Sequence, residues 1–63
     1  MSVGSNIKFL RMMKGLSQEE LAERVNVTKS MISQIERGTK NLTMELSVEL
    51  ARELGCDIRD FVK

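Results

Sequence analysis

Apolar residues recur at helical spacing along most of the chain, and turn residues cut that spacing into short pieces. Ile7 and Leu10 share one face, Leu21, Ala22 and Val25 a second, Ile32 and Ile35 a third, and Leu50, Ala51 and Leu54 a fourth. Gly15, Gly38 and Gly55 each follow such a segment, where a residue at positive φ can end a helix. No alternating run long enough for a strand lies between the turn residues.

Capping residues sharpen the boundaries. The first helix is predicted from Asn6 to Lys14, with Ser5 as its N-cap and Lys14 at the negative end of the helix dipole. The second starts at Ser17. The run Ser17-Gln18-Glu19-Glu20 reads as a capping box, and Asn26, which tolerates a left-handed conformation, ends the helix. Thr28 caps a third helix that stops at Gly38. A fourth begins after Thr43 and reaches Leu54, and Asp57 caps a short fifth from Ile58 to Val62. The connection between the second and third is short: Asn26, Val27 and the cap Thr28 separate Val25 from the next helix. A turn of that length joins two helices at a steep angle, a helix-turn-helix. Small Ala22 lets the pair approach closely, and apolar Val27 suits a turn tucked against the core.

Composition narrows the chemistry. With 63 residues, 41 % apolar and 30 % charged, the chain has the balance of one small globular domain, residues 1–63. No apolar run approaches the roughly 20 residues of a membrane-spanning helix. The first apolar stretch, Ile7 to Met13, is broken by Lys8 and Arg11, unlike a secretory signal. One cysteine, Cys56, allows no intrachain disulfide and suits a reducing cytoplasm. Without histidine, a zinc site lacks its usual ligands and catalysis its commonest general base. The expectation is a protein that is not an enzyme and carries no metal or cofactor. Glu19, Glu20 and Glu23 lie largely off the apolar face of their helix and read as a solvated face and a cap.

The net charge of +1 does not by itself point to nucleic acid, but its distribution is uneven. Residues 26–44 carry Lys29, Arg37 and Lys40 against Glu36, for +2, whereas residues 45–63 carry three basic and five acidic residues, for −2. Attraction for an anion therefore centres on the third helix and the loop after it.

Two runs carry a resemblance. Lys14-Gly15-Leu16-Ser17-Gln18-Glu19-Glu20-Leu21-Ala22 resembles the opening of the helix-turn-helix in the lambda repressor and Cro family, and Ile32-Ser33-Gln34-Ile35-Glu36-Arg37-Gly38 resembles the end of its recognition helix. The likeness covers Ile7 to about Phe61. It implies an all-α, five-helix domain of the Cro/C1 type that binds operator DNA as a two-fold dimer and regulates transcription, as a repressor, in bacteria, their viruses or plasmids.

The residue chemistry agrees with that implication. A helix fits the major groove, where its outward N-terminal residues meet base edges. The outward set is Thr28, Lys29, Ser30, Ser33 and Gln34. Gln34 suits bidentate bonding to adenine and Lys29 suits guanine O6 or N7. Met31 either touches a thymine methyl or packs beside the fourth helix. By resemblance, Gln18 contacts a phosphate or a base edge, and Arg37, Lys40, Asn41 and Thr43 lie along the phosphate backbone, positioning the domain without encoding sequence. Otherwise the polar set is an ordinary solvated surface. The resemblance also implies that Arg11 pairs with Glu36 to tie the first helix to the third, a structural role.

Three departures from the family stand out. Leu42 occupies a position that is often proline. Ser47 occupies one that is usually large and apolar, which predicts a rotated or differently filled buried face. Phe9, Met12 and Met13 occupy positions that are usually polar. With Phe61 and Val62, and with Leu46 or Cys56 nearby, Phe9 and Met13 are candidates for a homodimer interface or for docking a missing segment; the competing reading packs Phe9 and Met13 on the last helix. The alternative function is a protein-interaction module, such as the DNA-binding half of an antitoxin.

Overall fold

Every helix in the structure begins where a side-chain oxygen meets an unpaired backbone N–H. The computed structural model describes residues 2–62; Met1 and Lys63, both counted in the composition and the domain range above, lie outside them. Helix α1 spans Val3–Met13, α2 Gln18–Arg24, α3 Lys29–Arg37 and α4 Met44–Leu54. Ser2, Ser17, Thr28 and Thr43 are the N-caps, each accepting from the N–H three residues on. In α2 the box closes reciprocally, since Glu20 accepts from the Ser17 N–H at 2.8 Å. That backbone bond, more than the Ser17 hydroxyl, holds the Glu20 carboxyl below its usual value.

Two boundaries differ from expectation. First, α1 starts three residues early. Ser5 is not its cap but the third residue inside it, and it trades hydrogen bonds with the true cap Ser2 at 3.1 Å. Second, the described residues contain four α-helices rather than five. Ile58–Phe61 is a single 3-10 turn, capped by Asp57 as anticipated. Its backbone bond runs from the Asp60 N–H to the Asp57 carbonyl at 2.8 Å, three residues apart, the spacing of a 3-10 turn rather than an α turn.

The core gathers the four apolar faces read from the sequence. Ile7, Leu21, Ile32 and Leu50 are fully buried, with Ala22, Val25, Ile35, Ala51 and Leu54 around them. Asn26 holds φ at 60°, and the Val27 N–H reaches back to the Ala22 carbonyl at 2.9 Å. This tight turn brings α2 against α3 and lays Val27 on the core. Ser47 does not rotate α4: it lies on the same buried face as Leu50, Ala51 and Leu54, and its hydroxyl donates to the Thr43 carbonyl at 2.8 Å. Leu42 fills the proline position by packing partly against the core. Phe61, expected at an interface, is 1 % exposed and is instead a core residue. Asn6 secures it, donating from Nδ2 to the Phe61 carbonyl at 2.9 Å.

Gly4 decides how α1 meets α3. It is buried within α1, and a Cβ placed on it would sit under 3.0 Å from the carbonyl oxygens of Ile35 and Glu36. Backbone therefore touches backbone where α1 crosses the end of α3. Gly4→Ala should destabilise the domain by about 1–2 kcal/mol, because overpacking outweighs the gain of up to ~1 kcal/mol in helix propensity. A urea midpoint equal to or above that of the parent would show that the crossing yields easily.

Candidate nucleic-acid interface

The inward residues of α3 determine what its other side can offer. Ile32 and Ile35 are buried, which turns Lys29, Ser30, Ser33 and Gln34 outward. Thr28, Lys29 and Ser30 are exposed, and Ser33 and Gln34 are half-buried. Thr28 also caps the helix. Its Oγ1 accepts the Met31 N–H at 3.1 Å, so the oxygen is engaged while the O–H hydrogen can still be donated. Met31 lies partly buried against the core and stands apart from the polar set. The open face thus offers one ammonium, one amide and three hydroxyls, with little bulk to keep it from a groove.

Exposed polar residues follow α3 in the chain. Arg37, Lys40, Asn41 and Thr43 are all exposed. Thr43 is also the α4 cap, accepting the Leu46 N–H at 3.2 Å. The loop is shaped by Gly38 at φ 81° and by Thr39, whose N–H and hydroxyl both bond the Gln34 carbonyl, at 2.9 and 3.2 Å. Among the described residues, Lys29, Arg37 and Lys40 form no ion pair, so their charges are available to a ligand.

Beneath this surface lies a buried ion pair. Arg11 Nε stands 2.7 Å from Glu36 Oε2, with the two side chains 10 % and 3 % exposed. Arg11 Nη2 also reaches Glu36 Oε1 at 3.2 Å, and Nη1 donates to the Leu16 carbonyl at 2.7 Å. The pair joins α1 to α3, as the resemblance implies. Gln18 joins it as well, donating from Nε2 to Glu36 Oε1 at 3.0 Å. Reading the sequence missed that bond, the close approach at Gly4 and the buried Asn6. Gly4 alone carried a signal: it shares a helical face with Ile7 and Arg11.

Residues 7–61 match the helix-turn-helix family. The chain belongs to the helix-turn-helix family. It is 45 % identical over 53 residues to an uncharacterized HTH-type transcriptional regulator of Sinorhizobium fredii, covering 84 % of this chain and 69 % of that one. It is 34 % identical over 62 residues to the immunity repressor protein of Bacillus phage phi105, covering 98 % of this chain and 43 % of the repressor. Two other curated relatives are spanned over 59 % and 53 % of their length. Among solved structures, the biofilm master regulator SinR in complex with DNA superposes with a TM-score of 0.90 at 32 % identity, covering 97 % of this chain and 98 % of that one.

The remaining surface of this helix-turn-helix protein is mixed. Phe9, Met12 and Met13 are 55 %, 60 % and 71 % exposed, so Phe9 and Met13 do not pack away on the last turn. Leu46 and Cys56 are only partly accessible, resting against the core. Burial first, then Asp60 and Asp57, pushes the Cys56 thiol up and keeps it a poor nucleophile. A second apolar group, Val3, Met44 and Val62, lines an open groove of about 630 Å³ that also touches Lys40 and Asn41. Among the described residues, no group of acidic or cysteine side chains could hold a metal ion, and no helix is long and apolar enough to cross a membrane.

Removing the guanidinium would strand the Glu36 carboxylate. Arg11→Met should cost about 3–5 kcal/mol, the range for breaking a buried pair, and Arg11→Lys should recover only part of it because an ammonium lacks the fork. Chemical denaturation measures both; a loss of less than ~1 kcal/mol for Arg11→Met would place the pair with exposed ones.

Proposed function

We propose that this chain binds double-stranded DNA sequence-specifically as part of a transcriptional regulator, a repressor, working in the cytoplasm of a bacterium or on behalf of a phage or plasmid, and that it is not an enzyme. The observation that carries this reading is the open polar face of α3, held rigidly by the buried side of the same helix, in a chain of the helix-turn-helix family. Lys29, Ser30, Ser33 and Gln34 read base edges, and the Thr28 hydroxyl donates at the helix tip. Gln18, Arg37, Lys40, Asn41 and Thr43 bond phosphates, which orients α3 in the major groove.

The protein acts as a two-fold dimer. Two copies place their α3 helices about 34 Å apart, in successive major grooves on one side of the duplex, so the operator is an inverted repeat. Of the two apolar groups, the one around Val62 fits this geometry better. Its groove runs along Lys40 and Asn41, so a two-fold axis there leaves both phosphate-contacting loops beside the duplex. Phe9 and Met13 on α1 are then free for another protein, the surface an antitoxin-like role would use.

Selection from a random duplex pool tests the reading as a whole: we expect an inverted repeat bound by two copies, with affinity falling as salt rises. Gln34→Ala should cost about 1–3 kcal/mol on the selected duplex and little on random DNA. Lys40→Ala should weaken both equally. Equal losses on both duplexes for Gln34→Ala would remove it from base reading.

Sedimentation tests the dimer. Val62→Glu should shift it to monomer, and Phe9→Glu should leave it intact. The opposite pattern moves the interface to α1.

A further inference from the structure

We propose that Glu36 is a positioning residue for DNA binding: clamped by Arg11, its carboxylate fixes the Gln18 amide in the orientation from which that amide meets a backbone phosphate. The inference deepens the DNA-binding reading and rests on it.

The chemistry of the network sets the orientation. Glu36 Oε2 accepts from Arg11 Nε, and Oε1 accepts from both Arg11 Nη2 and Gln18 Nε2. Arg11 is bonded through Nε, Nη1 and Nη2, the Nη1 bond going to the Leu16 carbonyl, so its plane cannot turn. A carboxylate paired with arginine only accepts. Gln18 must therefore turn an N–H towards it, not its carbonyl oxygen, which determines which way the amide is flipped. One Nε2 hydrogen is engaged by Glu36. The amide is planar, so the second N–H and the carbonyl oxygen turn away from the carboxylate. Gln18 is half-buried, which leaves that outer edge in reach of solvent.

The outward N–H is the group a phosphate oxygen would accept. In the free protein it is already held in place, because Gln18 cannot swing without leaving a buried carboxylate under-bonded. An untethered glutamine would have to be ordered on binding, at a cost of roughly threefold to tenfold in Kd. The ion pair that holds α1 on α3 is thus also the anchor of a DNA contact on α2.

The test uses the whole chain and a mixed-sequence duplex at low ionic strength, since a phosphate contact does not depend on sequence. Gln18→Met keeps the length and removes the amide; Glu36→Gln keeps the shape and removes the charge. Each should raise Kd roughly threefold to tenfold, and the double variant should bind no worse than Gln18→Met alone. Losses that multiply in the double variant, or Gln18→Met binding as tightly as the parent, overturn the proposal.

Should Glu36→Gln fail to fold, nitrogen-resolved NMR of the unaltered chain decides. One Gln18 Nε2 proton should exchange more slowly than those of Gln34, and the other should shift when duplex is added. Exchange as fast as in Gln34, or no shift with duplex bound, overturns it. If the unaltered chain binds no duplex at all, the DNA-binding reading falls and takes this proposal with it, while the exchange rates still report whether the tether exists.

Discussion

A carboxylate withdrawn almost completely from water must be matched bond for bond, and that requirement at Glu36 organises the rest of the molecule. Arg11 brings two N–H groups to it from α1, and Gln18 brings one from α2. Left unpaired, such a charge would cost several kcal/mol, a large share of what a domain of this size has. Three helices are thereby committed to one geometry. The charge does not add to the driving force of the fold so much as select among ways of packing the same apolar faces. Gly4 makes the selection possible, because only a residue without a side chain lets α1 come down on the Ile35 and Glu36 carbonyls.

The apolar side of that geometry is economical. A chain of 63 residues, without a disulfide, builds its core from alanines, branched aliphatic side chains and one aromatic, Phe61. Each helix is short enough that its ends matter as much as its middle. Hydroxyl caps at Ser2, Ser17, Thr28 and Thr43 start the four helices, and left-handed Gly38 and Gly55 stop two of them. Lys14 extends towards the second of these stops, its Nζ beside Gly55, where an ammonium meets the negative end of α4. The outer face of α3 depends on these anchors: Lys29, Ser30, Ser33 and Gln34 are turned outward because Ile32 and Ile35 lock the other side of the helix into the core.

The same economy explains the surface. So few residues cannot bury every apolar side chain, and Phe9, Met12 and Met13 remain outside together with Met44 and Val62. Lys29, Arg37 and Lys40, which form no ion pair among the described residues, sit on α3 and the loop after it, and Lys40 borders the groove beside Val62.

Local rules made much of this legible in the sequence. Caps, glycine stops and 3.6-residue spacing act between residues within about four positions of one another, so the ends of α2, α3 and α4 and the tight turn at Asn26 could be read without coordinates. The pairing of Arg11 with Glu36 came from likeness to a family rather than from spacing. Where two local signals competed, reading failed: Ser5 is a good cap by type, but Ser2 and Ser5 bonded to each other put it inside the helix. Everything that depends on the relative placement of distant segments was decided only by the tertiary structure. Phe61 lies in the core where Asn6, 55 positions away in sequence, holds its carbonyl; Gly4 meets the Ile35 and Glu36 carbonyls because α1 comes down on the end of α3; and Gln18 reaches Glu36 because the turn folds α2 against α3. The physical reason is common to all three. Burial and hydrogen bonding across helices depend on distances that no pattern along the chain encodes until the helices have packed.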